Sequence, residues 1–140
     1  MELQKLMELK ERIKNTLIRD GYHSNMAFLE NRSGGMVILS LKMNDKTKMV
    51  EILRKELHSG QYKSYIFVNE AWMVAVKGKK MINVPPSVHP DKVECLVISY
   101  QDEVGEKQIY IVQFHRENGM IIIDNEESSD KFGGFFDVWK

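Results

Sequence analysis

All three prolines of this chain lie between residues 85 and 90, inside the segment Val84–Glu94. Because proline interrupts helices and central strands, this segment is the one stretch of rigid, non-repetitive backbone, and the rest is left to ordinary helices, strands and turns. The segment also brings His89 close in sequence to Asp91 and Glu94. A binding site is expected here before anywhere else, although these residues do not specify a ligand.

The composition is that of one globular domain. The 140 residues are 43% hydrophobic and 29% charged, values typical of folded proteins. No apolar run approaches the ~20 residues that cross a bilayer, and Met1–Lys5 is too charged for a secretory signal. We therefore expect a cytoplasmic protein with no membrane partner. Because Cys95 is the single cysteine, an internal disulfide is excluded, and Cys95 is expected to be a buried free thiol.

Charge is unevenly distributed along the chain. Residues 1–92 hold 16 Lys and Arg against 10 Asp and Glu, whereas residues 93–140 hold 4 against 10. This asymmetry could serve head-to-tail self-association, but neutralisation within one fold is the favoured interpretation. A nucleic-acid binder usually carries a basic stripe, and the best candidate here is the group of Lys77, Lys79 and Lys80. Lysines around a glycine are more often a solvated loop, so nucleic acid is not an expected partner.

Hydrophobic periodicity predicts two helices in the first half of the chain. In residues 2–20 apolar side chains recur at steps of three and four, and Gly21 is placed to end the helix. Asn44 or Asp45 is a suitable N-cap for a second helix of about 14 residues. The buried stripe of this second helix is predicted to be Met49, Val50, Leu53 and Leu57.

Six strands are predicted, over residues 25–30, 36–42, 62–76, 94–100, 107–116 and 120–124. The third is long for a single strand, so a bend or bulge is expected near Asn69-Glu70. Asn118-Gly119 is the dipeptide that a two-residue type I′ hairpin turn prefers. The predicted class is α+β, in the order α-β-β-α-β-β-β-β, with one mostly antiparallel sheet of about six strands and two helices that can cover one of its faces.

The turn at Asn118-Gly119 also predicts which side chains share a face of the last hairpin. One face is apolar enough to lie under a helix, with Tyr110, Val112, Phe114, Ile121 and Ile123. The opposite face is mixed, with Ile109, Ile111, Gln113, His115, Met120, Ile122 and Asp124. An antiparallel sheet can leave such a face open, so this is where a partner or ligand could bind.

The chain changes character after Asn125. We predict a single domain over residues 1–125, followed over 126–140 by a polar linker and an aromatic tail. The tail carries four aromatic residues, Phe132, Phe135, Phe136 and Trp139. Because disordered tails are poor in aromatic residues, we expect this one to dock, either on its own domain, which is favoured, or on a neighbouring subunit or another protein.

Strand alternation places Glu70 in an apolar stripe with Trp72. A buried carboxylate needs a hydrogen-bonding or cationic partner, or else its pKa rises. Glu70 is therefore a structural anchor or a functional acid with a perturbed pKa, unless a bulge at Asn69 turns it outward. His23, which follows the first helix, is expected to be a surface residue or a partner of the helix dipole.

Two interpretations of the proline segment remain open. As structure, it is a stiff connection that directs the chain into the strand beginning near Glu94. As a site, it places His89, Asp91 and Glu94 near Glu70 and Trp72. A histidine with several carboxylates is a plausible divalent-metal or acid–base set, although the spacing matches no strong metal motif.

Glu70-Ala71-Trp72 followed by Pro86–Glu94 resembles a pattern in small uncharacterised microbial and phage proteins. In that group a Glu-Ala-Trp strand precedes a Pro-Ser-x-His-Pro-Asp-Arg-x-Glu segment. This chain differs at Lys92, where the pattern has arginine. The resemblance covers roughly residues 65–115 and implies no activity, but it draws attention to His89, Asp91 and Glu94.

The sequence lacks glycine-rich phosphate loops and nucleophile elbows. We therefore expect a small non-enzymatic binding or oligomerising module, which uses the mixed sheet face and the aromatic tail, needs no cofactor, and associates with a protein partner or with itself. The alternative is a metal-assisted hydrolase or nuclease, in which Glu70, His89, Asp91 and Glu94 hold a divalent ion.

Overall fold

The computed structural model describes residues 1–43, 45–76, 79–82, 90–131 and 138–139, with the backbone alone for 75–76 and 79–82. The elements are α1 (Leu3–Asp20), β1 (Met26–Asn31), β2 (Met36–Ser40), α2 (Lys46–Leu57), β3 (Tyr62–Val76), β4 (Lys79–Ile82), β5 (Val93–Asp102), β6 (Lys107–Glu117) and β7 (Met120–Ser129). The predicted α+β class and the order of the predicted elements are confirmed. The structure adds the short strand β4, which falls where a solvated loop was predicted.

The strands form one antiparallel sheet in the order β2-β1-β3-β5-β6-β7, and β4 pairs with the end of β3. β3 keeps one register against β5 from Ser64 to Met73, so the predicted bulge near Asn69-Glu70 is wrong. The physical reason is that residues 64–69 are all buried, which means that packing on both faces supports a strand with no extra residue at this position.

The two helices lie on opposite faces of the sheet. α1 packs onto the face that carries Ile66 and Val68, whereas α2 packs onto the face that carries Tyr65 and Phe67. Because successive strand residues point to opposite faces, the expectation that both helices cover one face is wrong. The sheet has a hydrophobic core on each side.

The ends and the buried stripe of the helices follow the predicted chemistry. Gly21 ends α1 with a φ of 81°, a left-handed conformation that glycine adopts without steric cost. The Asp45 side chain caps α2 by accepting hydrogen bonds from the backbone N–H groups of Thr47 and Lys48, at 3.0 and 3.3 Å. All four predicted stripe residues of α2 are buried.

The β6–β7 hairpin has the predicted turn and register. Asn118 and Gly119 have φ values of 51° and 78°, as a type I′ turn requires, and Phe114 pairs with Ile123. β7 continues to Ser129, so the predicted linker and the domain limit at residue 125 are wrong for residues 126–129. Polar residues extend the strand because the carboxylate of Glu126 meets lysines of α1.

The described part of the tail docks on its own domain. Val138 is fully buried in the cluster under α2, and the Trp139 ring centroid lies 5.8 Å from that of Tyr65. Arg54 Nε donates a hydrogen bond to the Val138 carbonyl oxygen at 3.1 Å. The other three predicted tail aromatics, Phe132, Phe135 and Phe136, lie outside the described residues.

Ion pairs join the basic and the acidic parts of the chain. Lys14 Nζ lies 3.3 Å from Glu126 Oε2, and Arg32 Nη2 lies 2.8 Å from Glu103 Oε2. These contacts favour neutralisation within one fold over head-to-tail association. In the described part of the chain, no helix is long and apolar enough to cross a membrane.

Candidate functional site

The candidate site lies on β3, at an edge that two other strands leave uncovered. β1 pairs with β3 only as far as Val68, and β4 begins its pairing at Met73. The connection between α1 and β1 passes this gap, where the backbone N–H of Glu70 donates to Asn25 Oδ1 at 3.3 Å. The gap is thus closed by side chains and connecting backbone instead of by a strand.

Glu70 is half-buried on the α1 side of the sheet, and its carboxylate Oε1 accepts a hydrogen bond from the backbone N–H of His23 at 3.0 Å. Desolvation raises the pKa of Glu70, and the nearby charge of Glu94 acts in the same direction. The His23 hydrogen bond and the charge of Arg116 oppose this rise in pKa. The contact ties the α1–β1 connection to β3, which is the anchoring role that one of the two sequence interpretations gave to Glu70.

Glu94 is placed beside Trp72 and is held by an arginine. Trp72 and Glu94 are direct partners in the β3–β5 ladder. Arg116 Nε donates to Glu94 Oε2 at 3.1 Å, and its Nη1 donates to the Gly21 carbonyl oxygen at 2.7 Å. Arg116 therefore links the carboxylate of β5 to the C-terminus of α1, where a helix dipole favours a positive charge.

The structure brings three of the five predicted site residues onto one face: Glu70, Trp72 and Glu94. Glu70 and Glu94 are diagonal neighbours in the ladder, a relation that separates strand positions by roughly 7–8 Å. Asp91 is exposed in the turn before β5, and His89 lies outside the described residues. Within the described ranges, no group of three or more His, Cys, Asp and Glu side chains is placed to hold a metal ion.

Glu70 and Glu94 are already engaged, because Glu70 accepts from a backbone N–H and Glu94 pairs with Arg116. In this arrangement they bind parts of their own chain. The metal set of His89, Asp91 and Glu94 stays a prediction, because its histidine lies outside the described residues.

Sequence reasoning missed three residues of this network. His23 was expected to be a surface residue or a partner of the helix dipole, but it is buried, at 7% exposure. It acts through its backbone N–H, which has no signature in the sequence. Asn25 was predicted only as the start of a strand. Arg116 could have been found, since alternation from Phe114 places it on the α1 side of β6, beside Glu94.

A second feature is the surface that we call the open hairpin face, made of Ile111, Gln113, His115, Met120 and Ile122. These residues lie on the α2 side of the sheet, but α2 packs on β1 and β3 and does not reach them. Met120 is 65% exposed and Ile122 is 36% exposed. The mixed face predicted from the sequence is therefore open at its β7 end, whereas Ile109 at the other end is buried.

His115 and two neighbouring carboxylates form a charged rim on the open hairpin face. His115 Nδ1 lies 2.7 Å from Asp124 Oδ1, and its Nε2 lies 3.0 Å from Glu117 Oε2. The hydrogen bond with Asp124, followed by the one with Glu117, raises the pKa of His115. A register shift between Gln113 and Phe114 makes Asp124 the extra residue of a bulge, a device that re-aims side chains.

Concave features in the described part of the chain include surface depressions of about 400 and 560 Å³ along α1 and near Met1, and one smaller cleft. A cleft of about 190 Å³ between α1 and β7 is lined by Met7, Lys10, Tyr110, Val112, Glu126, Glu127 and Ser128. Small-molecule sites usually occupy roughly 300–1,000 Å³, so this cleft is undersized for a drug-sized ligand.

A scan against protein-family models finds no match for the chain, and searches of curated proteins and of solved structures find none either.

Proposed function

We propose that this protein is a small non-enzymatic module that binds protein surfaces, including copies of itself, through exposed parts of its sheet. The observation that carries the proposal is the open hairpin face. There Met120 and Ile122 present apolar side chains to solvent on the β6–β7 hairpin, with charged residues around them. Exposed apolar groups rimmed by polar ones are a usual mark of interaction sites.

The arrangement around Glu70 supports a non-enzymatic role. A catalytic carboxylate must reach a substrate proton or a metal ion, but Glu70 Oε1 accepts from a backbone N–H and Glu94 Oε2 accepts from an arginine of the same chain. The raised pKa of Glu70 follows first from burial, and burial of this kind also occurs in structural networks.

The aromatic tail enters the proposal in a reduced form. Trp139 packs against Tyr65 in its own domain, so it supports the core and is not offered as a contact for a partner. Phe132, Phe135 and Phe136 keep their place as interaction candidates predicted from the sequence.

The proposal is tested by following association directly. The wild-type protein is studied by sedimentation velocity and by ¹H–¹⁵N spectra from about 10 µM to 1 mM, a range suited to weak interfaces. We expect concentration-dependent shifts at Ile111 and Ile122, and their loss in the double variant Met120→Lys, Ile122→Lys. The control is Val104→Lys, because Val104 is an 85% exposed apolar residue in the β5–β6 turn.

Spectra and sedimentation that do not change over this range would contradict self-association through the open hairpin face. The metal-dependent alternative is separated by thermal unfolding of EDTA-treated protein, with and without Mg²⁺, Mn²⁺, Zn²⁺ and Ca²⁺. The proposal expects no change in Tm. A rise of several degrees that disappears in Asp91→Ala would instead favour the hydrolase or nuclease.

A further inference from the structure

The edge strand β2 has an unusual composition for an unpaired edge. Residues 33–41 contain no charged side chain and no proline, and the described residues pair β2 with β1 alone. Val37 is 38% exposed and Ile38 is 64% exposed. Natural edge strands are usually protected by lysine, proline, a bulge or a cover. The strand Met36–Ser40 contains no lysine and no proline, and its register with β1 has no bulge.

The hydrogen bonds around β2 show which backbone groups are unused. Asn31 N–H donates to the Gly35 carbonyl, and Leu41 N–H donates to the Asn25 carbonyl, each at 2.9 Å. Since bonded and non-bonded pairs alternate in an antiparallel ladder, the N–H and C=O groups of Val37 and Leu39 face β1. Those of Met36, Ile38 and Ser40 therefore face away from the sheet.

We infer that β2 pairs antiparallel with β2 of a second copy of this chain, about a two-fold axis at Ile38. This inference names the partner of the proposed binding module and rests on that proposed function. A two-fold axis at Ile38 places Ile38 opposite Ile38 of the partner subunit, and Met36 opposite Ser40 of the partner subunit. It uses every outward-facing group of the strand, which gives about six backbone hydrogen bonds at two per bonded pair.

The β2 strand of a second copy suits this edge better than the β7 strand of a second copy. An uncharged strand meets an identical one without bringing like charges together, which would destabilise directly opposite positions. The other end of the sheet, β7, carries Asp124, Glu126 and Glu127, and pairing β2 with it would place carboxylates beside Ile38. A two-fold contact also closes on itself, whereas β2–β7 pairing would continue without end.

The contact is expected to be weak. One short strand pair buries less than the roughly 1,200 Å² of stable complexes, and such small interfaces are typical of transient association. The first test is therefore a crosslink. Residues of a hydrogen-bonded antiparallel pair have Cα atoms about 5.5 Å apart, a separation that suits a disulfide, and only the residue on the two-fold axis faces its own copy.

We expect Ile38→Cys to form a disulfide dimer under mild oxidation. Val37→Cys and Val104→Cys are the matched controls, because Val37 would face Leu39 of the partner subunit and Val104 is an exposed residue remote in sequence. Native Cys95 is fully buried and burial raises the pKa of its thiol to about 12, so wild-type protein should form no disulfide dimer under oxidation. Equal crosslinking of Val104→Cys and Ile38→Cys would overturn the inference.

Amide hydrogen exchange of the wild-type protein gives a test without any substitution. The outward N–H groups of Met36, Ile38 and Ser40 should exchange more slowly at about 1 mM than at 10 µM, several-fold or more, since self-association of weak interfaces falls in this range. The N–H groups of Val37 and Leu39, which already bond β1, should not respond. Rates at Ile38 that are independent of concentration would overturn the inference.

These outcomes are distinguishable from a failure of the proposed function. Association that survives in Ile38→Pro but disappears in Met120→Lys, Ile122→Lys would retain the binding module and overturn the β2 pairing. Association lost in Ile38→Pro alone would support the pairing. A wild-type protein that remains monomeric at every concentration would overturn the pairing and also contradict self-association through the open hairpin face.

Discussion

The two edges of the sheet differ in how they meet solvent. β7 carries Asp124, Glu126 and Glu127, contains a bulge, and lies against lysines of α1. β2 is short, uncharged and apolar, with a continuous register to β1. The comparison teaches that one sheet can have an edge protected from strand addition and another that is left available for it, and substitutions in both halves of the sheet can test this contrast.

The largest effect is expected from proline at neighbouring positions of β2. Val37→Pro removes an N–H that bonds β1 and should lower the free energy of unfolding by about 3 kcal/mol or more. Ile38→Pro removes an outward N–H, which edge strands tolerate, and should cost within about 1 kcal/mol. Urea unfolding measures both. Equal losses would mean that the assignment of inward and outward groups on β2 is wrong.

The stability of the half of the sheet next to β2 should depend on Val138. This side chain is fully buried among residues of α2, β1 and β3, so Val138→Ala should lower the free energy of unfolding by about 1–3 kcal/mol. Val104→Ala, at an exposed position, should change it by about 0.5 kcal/mol or less. A Val138→Ala protein as stable as wild type would show that the tail does not dock in solution.

The ion pairs of Glu126 on β7 should make an electrostatic and modest contribution to the free energy of unfolding. Glu126 lies within 3.8 Å of Lys10 Nζ and 3.3 Å of Lys14 Nζ, but its side chain is partly exposed, so Glu126→Gln should cost at most about 1 kcal/mol. The loss should shrink in 1 M NaCl, because salt screens exposed charges. Asp130→Asn at the same end of β7 is the control. A loss that is insensitive to salt would point to packing instead of charge.

The smallest effect concerns the pH response of the β6–β7 hairpin. The pKa of His115 lies above its usual value, chiefly because of Asp124, and Asp124→Asn should lower it more than Glu117→Gln does. A raised pKa in the folded state stabilises below the unfolded pKa of about 6.5, and this contribution disappears as pH rises through the folded value. NMR titration of His115 measures its pKa, and thermal melts between pH 5 and 9 measure the pH dependence of stability. A titration of His115 unchanged in Asp124→Asn would contradict the contact.

Local chemistry accounts for the parts of the fold that the sequence predicted well. The buried stripe of α2 follows from spacing within one helix, and the Asn118-Gly119 turn follows from the positive φ that both positions need. Asp45 could be predicted as a cap because its carboxylate reaches N–H groups only two and three residues away. In each case the interacting groups are close in sequence.

The errors concern relations between distant segments. Periodicity shows which side of a helix is apolar but not which sheet face it meets, and so α1 and α2 were placed together. The run Tyr65–Val68 contained a usable signal, because an unbroken apolar strand is typical of burial on both faces. Glu70 had no such signal, since its partner is a backbone N–H of His23, and the available edge of β2 emerged only when the strand order was known.

The docking of Val138 has a consequence for how the protein is made. The cluster under α2 begins with Ala27 on β1 and is completed by Val138, so residues more than one hundred positions apart must meet before it is closed. Chains emerge from the ribosome from the N-terminus at roughly 5–20 residues per second. The first hairpin and α2 therefore wait several seconds, with apolar surface uncovered, for the segment that seals them.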